Sequence, residues 1–220
     1  MSRLLLIVAA GSGTRLGRDE PKALVRLSGR ALLSWALDAF TSLSFSQTVV
    51  TAPPDHVGDF TRLVGDRARV IPGGETRSGS VRRGFEALET VDEDTVCIHD
   101  AARPLVTAQE AASVIRAAEE TGAAIAATPV VDTIKRVSAG RVVETVDRSG
   151  LYAAATPQAF RAAILRRALE AGREATDEAA LCETLGIKVG VVEVSRLSFK
   201  ITTPEDLRIA EAILGARRGS

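Results

Sequence analysis

The chain has 220 residues, enough to bury about 70% of the surface its unfolded form exposes, so one domain of the larger sort is expected over residues 1–220. Its 28 lysines and arginines balance 28 aspartates and glutamates, which leaves no overall field to attract nucleic acid or an anionic membrane. With no such field, any anion it binds is held by a local arrangement, and no apolar stretch approaches the roughly 18 residues of a membrane span.

Apolar β-branched runs alternate with helical periodicity, the pattern of βαβ units around a mainly parallel sheet. The first strand is expected at 4–9. Its surroundings, "MSRLLLIVAAGSG", share the arginine, apolar run and small residues of a short signal peptide, but the run is only about seven residues and a charged loop follows, which favours a buried strand. A helix at 31–43, a strand at 48–52, a helix at 55–64 and a strand at 69–71 come next. Then follow a helix at 80–88, a strand at 95–99, a helix at 108–121 and a strand at 123–128. Residues 132–148, "DTIKRVSAGRVVETVDR", break the alternation as two strand-like halves around "SAG", a hairpin whose polar and apolar residues do not alternate cleanly. A lone hairpin this polar is marginal in water, so it packs either on a partner subunit or as an edge extension of its own sheet. Helices at 160–171 and 177–185, strands at 188–194 and 198–201 and a helix at 204–214 complete the chain. Thr107 and Thr203 suit N-caps, the second with Pro204 at the first helical position. Cys97 and Cys182 lie far apart with no metal-type spacing and are expected as buried free thiols, which suits a reducing cytoplasm.

The chemistry concentrates where strands end, which is where open α/β sheets bind ligands. After the first strand, "AAGSGTRLGRDEPKAL" (9–24) offers three glycines, two hydroxyls and the cations Arg15, Arg18 and Lys22. Counted from Gly11, the sixth position is Leu16, so the loop is neither the dinucleotide fingerprint nor the P-loop, both of which need glycine there. A glycine-lined backbone with two separated cations suits a triphosphate, the alternative being a surface loop with solvated charges. "CIHDAARP" ends a strand with His99 and Asp100, with Arg103 just beyond; Asp100 is either a ligand for a divalent cation or a turn aspartate. "PGGETRSGSVRRGFEAL" repeats the strand, glycine loop, helix order, with Gly73, Gly74 and Ser80 offering close backbone approach and a hydroxyl. In "SFKITTPEDL", Lys200 is either an edge-strand gatekeeper or a cation aimed at a site.

Taken in order, "AAGSGTRLG" with "PK", then "GGETRSGSV", "HDAARP", "DT", "TVDR", "ATPQAF" and "FKITTPEDL" resemble the 2-C-methyl-D-erythritol 4-phosphate cytidylyltransferases of the non-mevalonate isoprenoid pathway. The match covers nearly the whole chain, whereas the glycine loop alone indicates only the wider nucleotidyltransferase superfamily. The resemblance implies a Rossmann-like three-layer α/β/α fold with a mainly parallel central sheet and a projecting hairpin arm. It implies that Arg15, Lys22 and Lys200 surround the reacting α-phosphate of CTP. Ala10, Gly11, Gly13 and Thr14 are then expected to cradle the triphosphate, and Ala9, Gly74 and Ser80 to read the cytosine largely through backbone groups. Asp100, with Ala101 beside it, is expected next to Mg²⁺ and the ribose, and Arg103 with Asp100 near the polyol phosphate. Family members are dimeric through the arm, so Thr133 and Arg148 are expected to reach the neighbouring subunit's substrate. One departure is Val8, where many members have proline; only backbone is used there. The nearest other reading is a cytidylyltransferase for another polyol phosphate such as ribitol 5-phosphate, and a further one is a nucleotide-binding protein without catalysis.

Overall fold

Strand β1 (Arg3–Val8) is apolar throughout because both of its faces are covered. Leu5 and Ile7 enter a core with helices α1 (Leu32–Asp38), α2 (Val57–Val64) and α4 (Ala108–Thr121). Leu4 and Leu6 enter a second core with α3 (Arg77–Ala87), α5 (Ala162–Glu170) and α6 (Glu178–Thr184). Helices on both faces of one sheet make three layers, as expected. A computed structural model provides this view and describes residues 1–11, 13, 16, 20–172 and 175–219.

Among the described residues one seven-stranded sheet forms. Its members besides β1 are β4 (Gln47–Ala52), β5 (Arg69–Pro72), β6 (Thr95–Asp100), β7 (Ala123–Pro129), β10 (Tyr152–Arg161) and β11 (Gly190–Glu193). Their order is β11, β7, β10, β6, β1, β4, β5. Strand β10 runs antiparallel to both neighbours and every other pairing is parallel. Strands β2 (Arg26–Leu27) and β3 (Arg30–Ala31) pair separately, near a third core where Leu27 and Leu32 meet Ala210 and Leu214 of α7 (Pro204–Gly219).

Most expected elements form with ends shifted by a few residues, and α4 begins and ends where its capping signals put it. There Thr107 and Glu110 cap each other reciprocally and Gly122 takes a left-handed φ of 93°. Helix α1 is shorter than expected and continues as turns. Helix α3 starts three residues earlier than expected, at the N-cap Thr76, whose hydroxyl accepts from the Gly79 N–H at 3.0 Å.

Two expectations are corrected. Residues 160–161 end strand β10, and the helix begins only at Ala162. The run "YAAATPQAFR" has poor strand propensity, and its proline falls at the register shift between Ala154 and Gln158, where the ladder is already interrupted. Residues 198–201 form no strand. The Ser198 N–H turns back to the Ser195 carbonyl at 3.0 Å and the Ile201 N–H reaches the Ala102 carbonyl at 2.8 Å. Phe199 and Ile201 pack into the third core while Lys200 points to the opposite side, so the alternation reflects a loop between a core and a cleft.

The hairpin forms from β8 (Ile134–Ser138) and β9 (Arg141–Val146), with Ala139 and Gly140 at positive φ in its turn. All of its strand residues except Ile134 and Val146 are exposed.

Candidate active site

Strands β1, β5 and β6 end at one edge of the sheet, and their loops meet there around a cavity of about 420 Å³. Backbone bonds fix the loops to one another. The Ala9 N–H donates to the Thr51 carbonyl, the Ala101 N–H to Val8 and the Gly73 N–H to Ala52, at 2.7–3.0 Å. The glycine pair after β5 is required by packing. A Cβ on Gly73 would lie 2.5 Å from the Ala10 Cβ, and one on Gly74 would lie 2.7 Å from the Gly79 backbone. Ser80, buried beneath this loop, accepts from the Gly74 N–H at 3.0 Å and donates to the Thr76 carbonyl at 3.0 Å.

Four charged side chains interlock, Lys200, Asp100 and Arg77 on the cavity wall and Glu178 buried behind it. Lys200 Nζ lies 2.6 Å from Asp100 Oδ2, and Arg77 Nε lies 3.1 Å from Asp100 Oδ1. The other end of Arg77 grips Glu178 through both terminal nitrogens, at 2.8 and 3.0 Å. Burial alone pushes the Asp100 carboxyl up, but Arg77 and Lys200 outweigh it and hold the group well below the ordinary carboxylate range. Burial works against the Arg77 charge too, and the two carboxylates outweigh it. For Glu178 burial is the larger influence and pushes its pKa up, with Arg77 pulling against it. Among the described lining residues, Lys22, Arg77 and Lys200 face the two carboxylates Glu75 and Asp100, an excess of positive charge suited to an anion.

Behind the cavity, Arg103 donates to the carbonyls of Ser198 and Ala154 at 3.2 and 3.4 Å, and its buried Nε has no partner. Burial lowers its pKa from the usual arginine value. His99 is fully buried, and burial pushes its imidazole down to about 4.

Of the residues singled out in the sequence, Ala9, Ala10, Gly11, Gly13, Lys22, Gly74, Ser80, Asp100, Ala101 and Lys200 line this one cavity. Arg103 adjoins it without lining it. Thr14 and Arg15 lie outside the described residues. Thr133 and Arg148 sit exposed at the base of the hairpin, where Arg148 donates to the Val131 carbonyl, and they do not line the cavity. Sequence reasoning missed Arg77 and Glu178. Arg77 stands in the first turn of α3, against its dipole, but the expected start at residue 80 put it in the preceding loop.

No group of three or more metal-ligating side chains occurs among the described residues. A single carboxylate at the edge of an anion site still fits Mg²⁺, which commonly takes one or two carboxylates and completes its shell with phosphate and water oxygens. Asp100 has that position.

A mainly parallel, three-layer sheet with a glycine-lined, cation-bearing cleft at the carboxyl ends of its strands defines a protein of the nucleotidyltransferase fold. Residues 4–216 match the family described as 2-C-methyl-D-erythritol 4-phosphate cytidylyltransferase, IspD, and the chain belongs to that family. It is 44% identical to the enzyme of that name from Prochlorococcus marinus (strain MIT 9313), over 97% of this chain and 98% of the relative. It is 45% identical to the one from Deinococcus radiodurans, over 96% of this chain and 88% of the relative. The crystal structure of 2-C-methyl-D-erythritol 4-phosphate cytidylyltransferase from Thermus thermophilus is similar with a TM-score of 0.78, at 35% identity, over 94% of this chain and 97% of that one.

Proposed function

We propose that this chain transfers a cytidylyl group from CTP to 2-C-methyl-D-erythritol 4-phosphate, giving 4-diphosphocytidyl-2-C-methyl-D-erythritol and pyrophosphate, in non-mevalonate isoprenoid biosynthesis. The carrying observation is that Lys22, Lys200, Asp100 and the glycine loop converge on one cavity in a chain of this family.

The acceptor is a phosphate monoester whose second pKa is ~6, so at neutral pH its attacking oxygen is already largely ionised and no general base is needed. A buried His99, with its low pKa, is therefore no obstacle. The barrier lies in bringing two anions into line, and positioning and charge stabilisation lower it. Lys22 and Lys200, with Arg15 from the loop, meet the charge that develops on the α-phosphoryl group. Backbone N–H groups at Gly11 and Gly13 hold the triphosphate. Ala9, Gly74 and Ser80, the last two bonded to each other, read the cytosine largely through backbone groups. Asp100 would hold Mg²⁺, which would supply positive charge to neutralise the phosphates. Lys200, beside that carboxylate, is the ammonium that meets the α-phosphate.

Residues 1–220 act as one catalytic domain, with 132–148 as a dimerisation arm. Val137, Val142 and Val143 are each more than half exposed on that arm, an apolar surface that a second copy covers. Arg103 and, from the neighbouring subunit, Thr133 and Arg148 hold the polyol phosphate. The two buried free thiols suit a cytoplasmic protein; among the described residues no helix is long and apolar enough to cross a membrane.

Pyrophosphate release measured with CTP and a panel of polyol phosphates, with and without Mg²⁺, tests this reading. Turnover is expected with methylerythritol phosphate and Mg²⁺. Turnover confined to ribitol 5-phosphate, or CTP binding without turnover on any acceptor, would overturn it.

A further inference from the structure

We infer that His99 is a positioning residue, whose two ring nitrogens pin both ends of the turn carrying Asp100 and Arg103. The inference rests on the proposed roles of those two side chains. Residues 100–103 form a tight turn closed by the Arg103 N–H donating to the Asp100 carbonyl at 2.9 Å. At the far end of that turn the Arg103 carbonyl lies 3.2 Å from His99 Nε2. A carbonyl only accepts, so Nε2 carries the proton and Nδ1 presents a lone pair. Nδ1 lies 3.1 Å from the Thr156 hydroxyl, which therefore donates to it. The same hydroxyl accepts from the Asp100 N–H, at 3.0 Å. One line of bonds thus runs from Asp100 N through Thr156 and the imidazole to Arg103 O, with every donor and acceptor used in one direction.

Packing holds this line in place. His99 is fully buried, and its ring lies edge-on to Phe40 with centroids 5.0 Å apart and planes at 61°. It does not line the cavity, so its effect on the reaction passes through the turn. Thr156 reaches it because β10 breaks register between Ala154 and Gln158, and such an irregularity re-aims a side chain beside a functional site. Asp100 has ion-pair braces on its carboxylate in Arg77 and Lys200, and the ring reaches it only through Thr156. The ring bonds the backbone of Arg103 directly, and the Arg103 guanidinium has only the longer bonds to the Ser198 and Ala154 carbonyls. Loosening the turn is therefore expected to displace Arg103, on the polyol phosphate side, more than Asp100.

Replacement by phenylalanine keeps the packing on Phe40 and removes both bonds, and a displacement near 1 Å can cost ~100-fold in rate. His99→Phe is expected to lower kcat by about tenfold or more, and to raise KM for the polyol phosphate about fivefold while KM for CTP stays within about threefold. His99→Gln, whose amide reaches the Nε2 position, is expected to recover most of the acceptor KM. Thr156→Ser is expected to behave as the wild type and Thr156→Val to follow His99→Phe. The chain has two histidines, so nitrogen NMR reads this ring directly: a neutral imidazole protonated on Nε2 in the wild type and in Thr156→Ser, with a shifted Nδ1 signal in Thr156→Val. Unchanged kinetics in His99→Phe, equal losses in His99→Gln and His99→Phe, or a proton on Nδ1 would each overturn the inference. If His99→Phe does not fold, His99→Gln and the two Thr156 variants decide it. A wild type that turns over no methylerythritol phosphate would refute the proposed function instead, while the NMR result would still read the hydrogen-bond line.

Discussion

A guanidinium in the first turn of a helix opposes the helix dipole, and Arg77 offsets that cost by bonding two buried carboxylates on different elements. Lysine cannot reproduce the arrangement, because one ammonium lacks the fork that grips Glu178 while a third nitrogen reaches Asp100. Removing one partner from a buried ion cluster leaves unpaired charge, so Arg77→Met is expected to destabilise the protein by about 3 kcal/mol, the lower end of that class because the arginine is partly exposed. Denaturant unfolding checks this, and a loss below about 1 kcal/mol would show the cluster to be well solvated. Lys22→Ala belongs to a different class, since this lysine is not buried within the core. It is expected to lower turnover by two or more orders of magnitude with little change in melting temperature, and Arg15→Ala to do the same. Lys200→Ala is expected to lose turnover and some stability together, because it removes a partner of the buried Asp100. Near-normal kcat in the purified variants would remove them from the reaction centre. The lysines were legible in the sequence because each follows a recognisable motif. Arg77 and Glu178 lie 101 positions apart, and their pairing depends on how α3 and α6 pack on one face of the sheet.

At the scale of elements, the inner parallel strands were legible as continuous apolar runs buried on both faces, and most helices as apolar stripes of helical period. Such patterning failed at β10, an alanine-rich strand with a proline whose place is set by the neighbours it separates. It failed again at 198–201, where a core on one side and a cleft on the other imitate a strand's alternation. That segment is held at both ends by carboxylates. Glu110 accepts from the Ser195 N–H at 2.7 Å and the Ser198 hydroxyl at 2.9 Å. Asp206, in the first turn of α7, accepts from the Thr202 N–H and hydroxyl and the Thr203 N–H at 2.7–2.8 Å. Burial pushes the Asp206 carboxyl up, but those donors outweigh it and hold its pKa below the ordinary value of 3.8. A depressed carboxylate contributes stability that is complete above its unfolded pKa and is lost as pH falls through its folded one. Asp206→Asn is therefore expected to be less stable than the wild type at neutral pH, with the difference shrinking below about pH 4. Unfolding measured from pH 7 to pH 2 checks the sign, and a difference that grows on acidification would refute it.

Across the whole molecule, the hairpin is proposed to complete the neighbouring subunit's site. Thr133 and Arg148 lie exposed at its base and outside the cavity lined by Lys22 and Lys200, while the valines along it are exposed. A closed dimer that exchanges arms puts each Arg148 in the other subunit's site. Lys22→Ala disables the site of the chain that carries it, whereas Arg148→Ala then disables the site of its neighbour. In a heterodimer of the two variants, both defects fall on the Lys22→Ala chain's site, and the other site has its own Lys22 and an intact Arg148 from across the interface. Random re-pairing of an equal mixture makes about half the dimers mixed, each with one working site of two, so activity is expected to return to about a quarter of wild type. The measurement is turnover before and after the two purified, individually inactive variants are mixed and allowed to exchange subunits. Val137→Lys in both chains is expected to weaken the interface and abolish the recovery. If Arg148 serves its own chain's site, no mixture regains activity, because every site then carries one defect or the other.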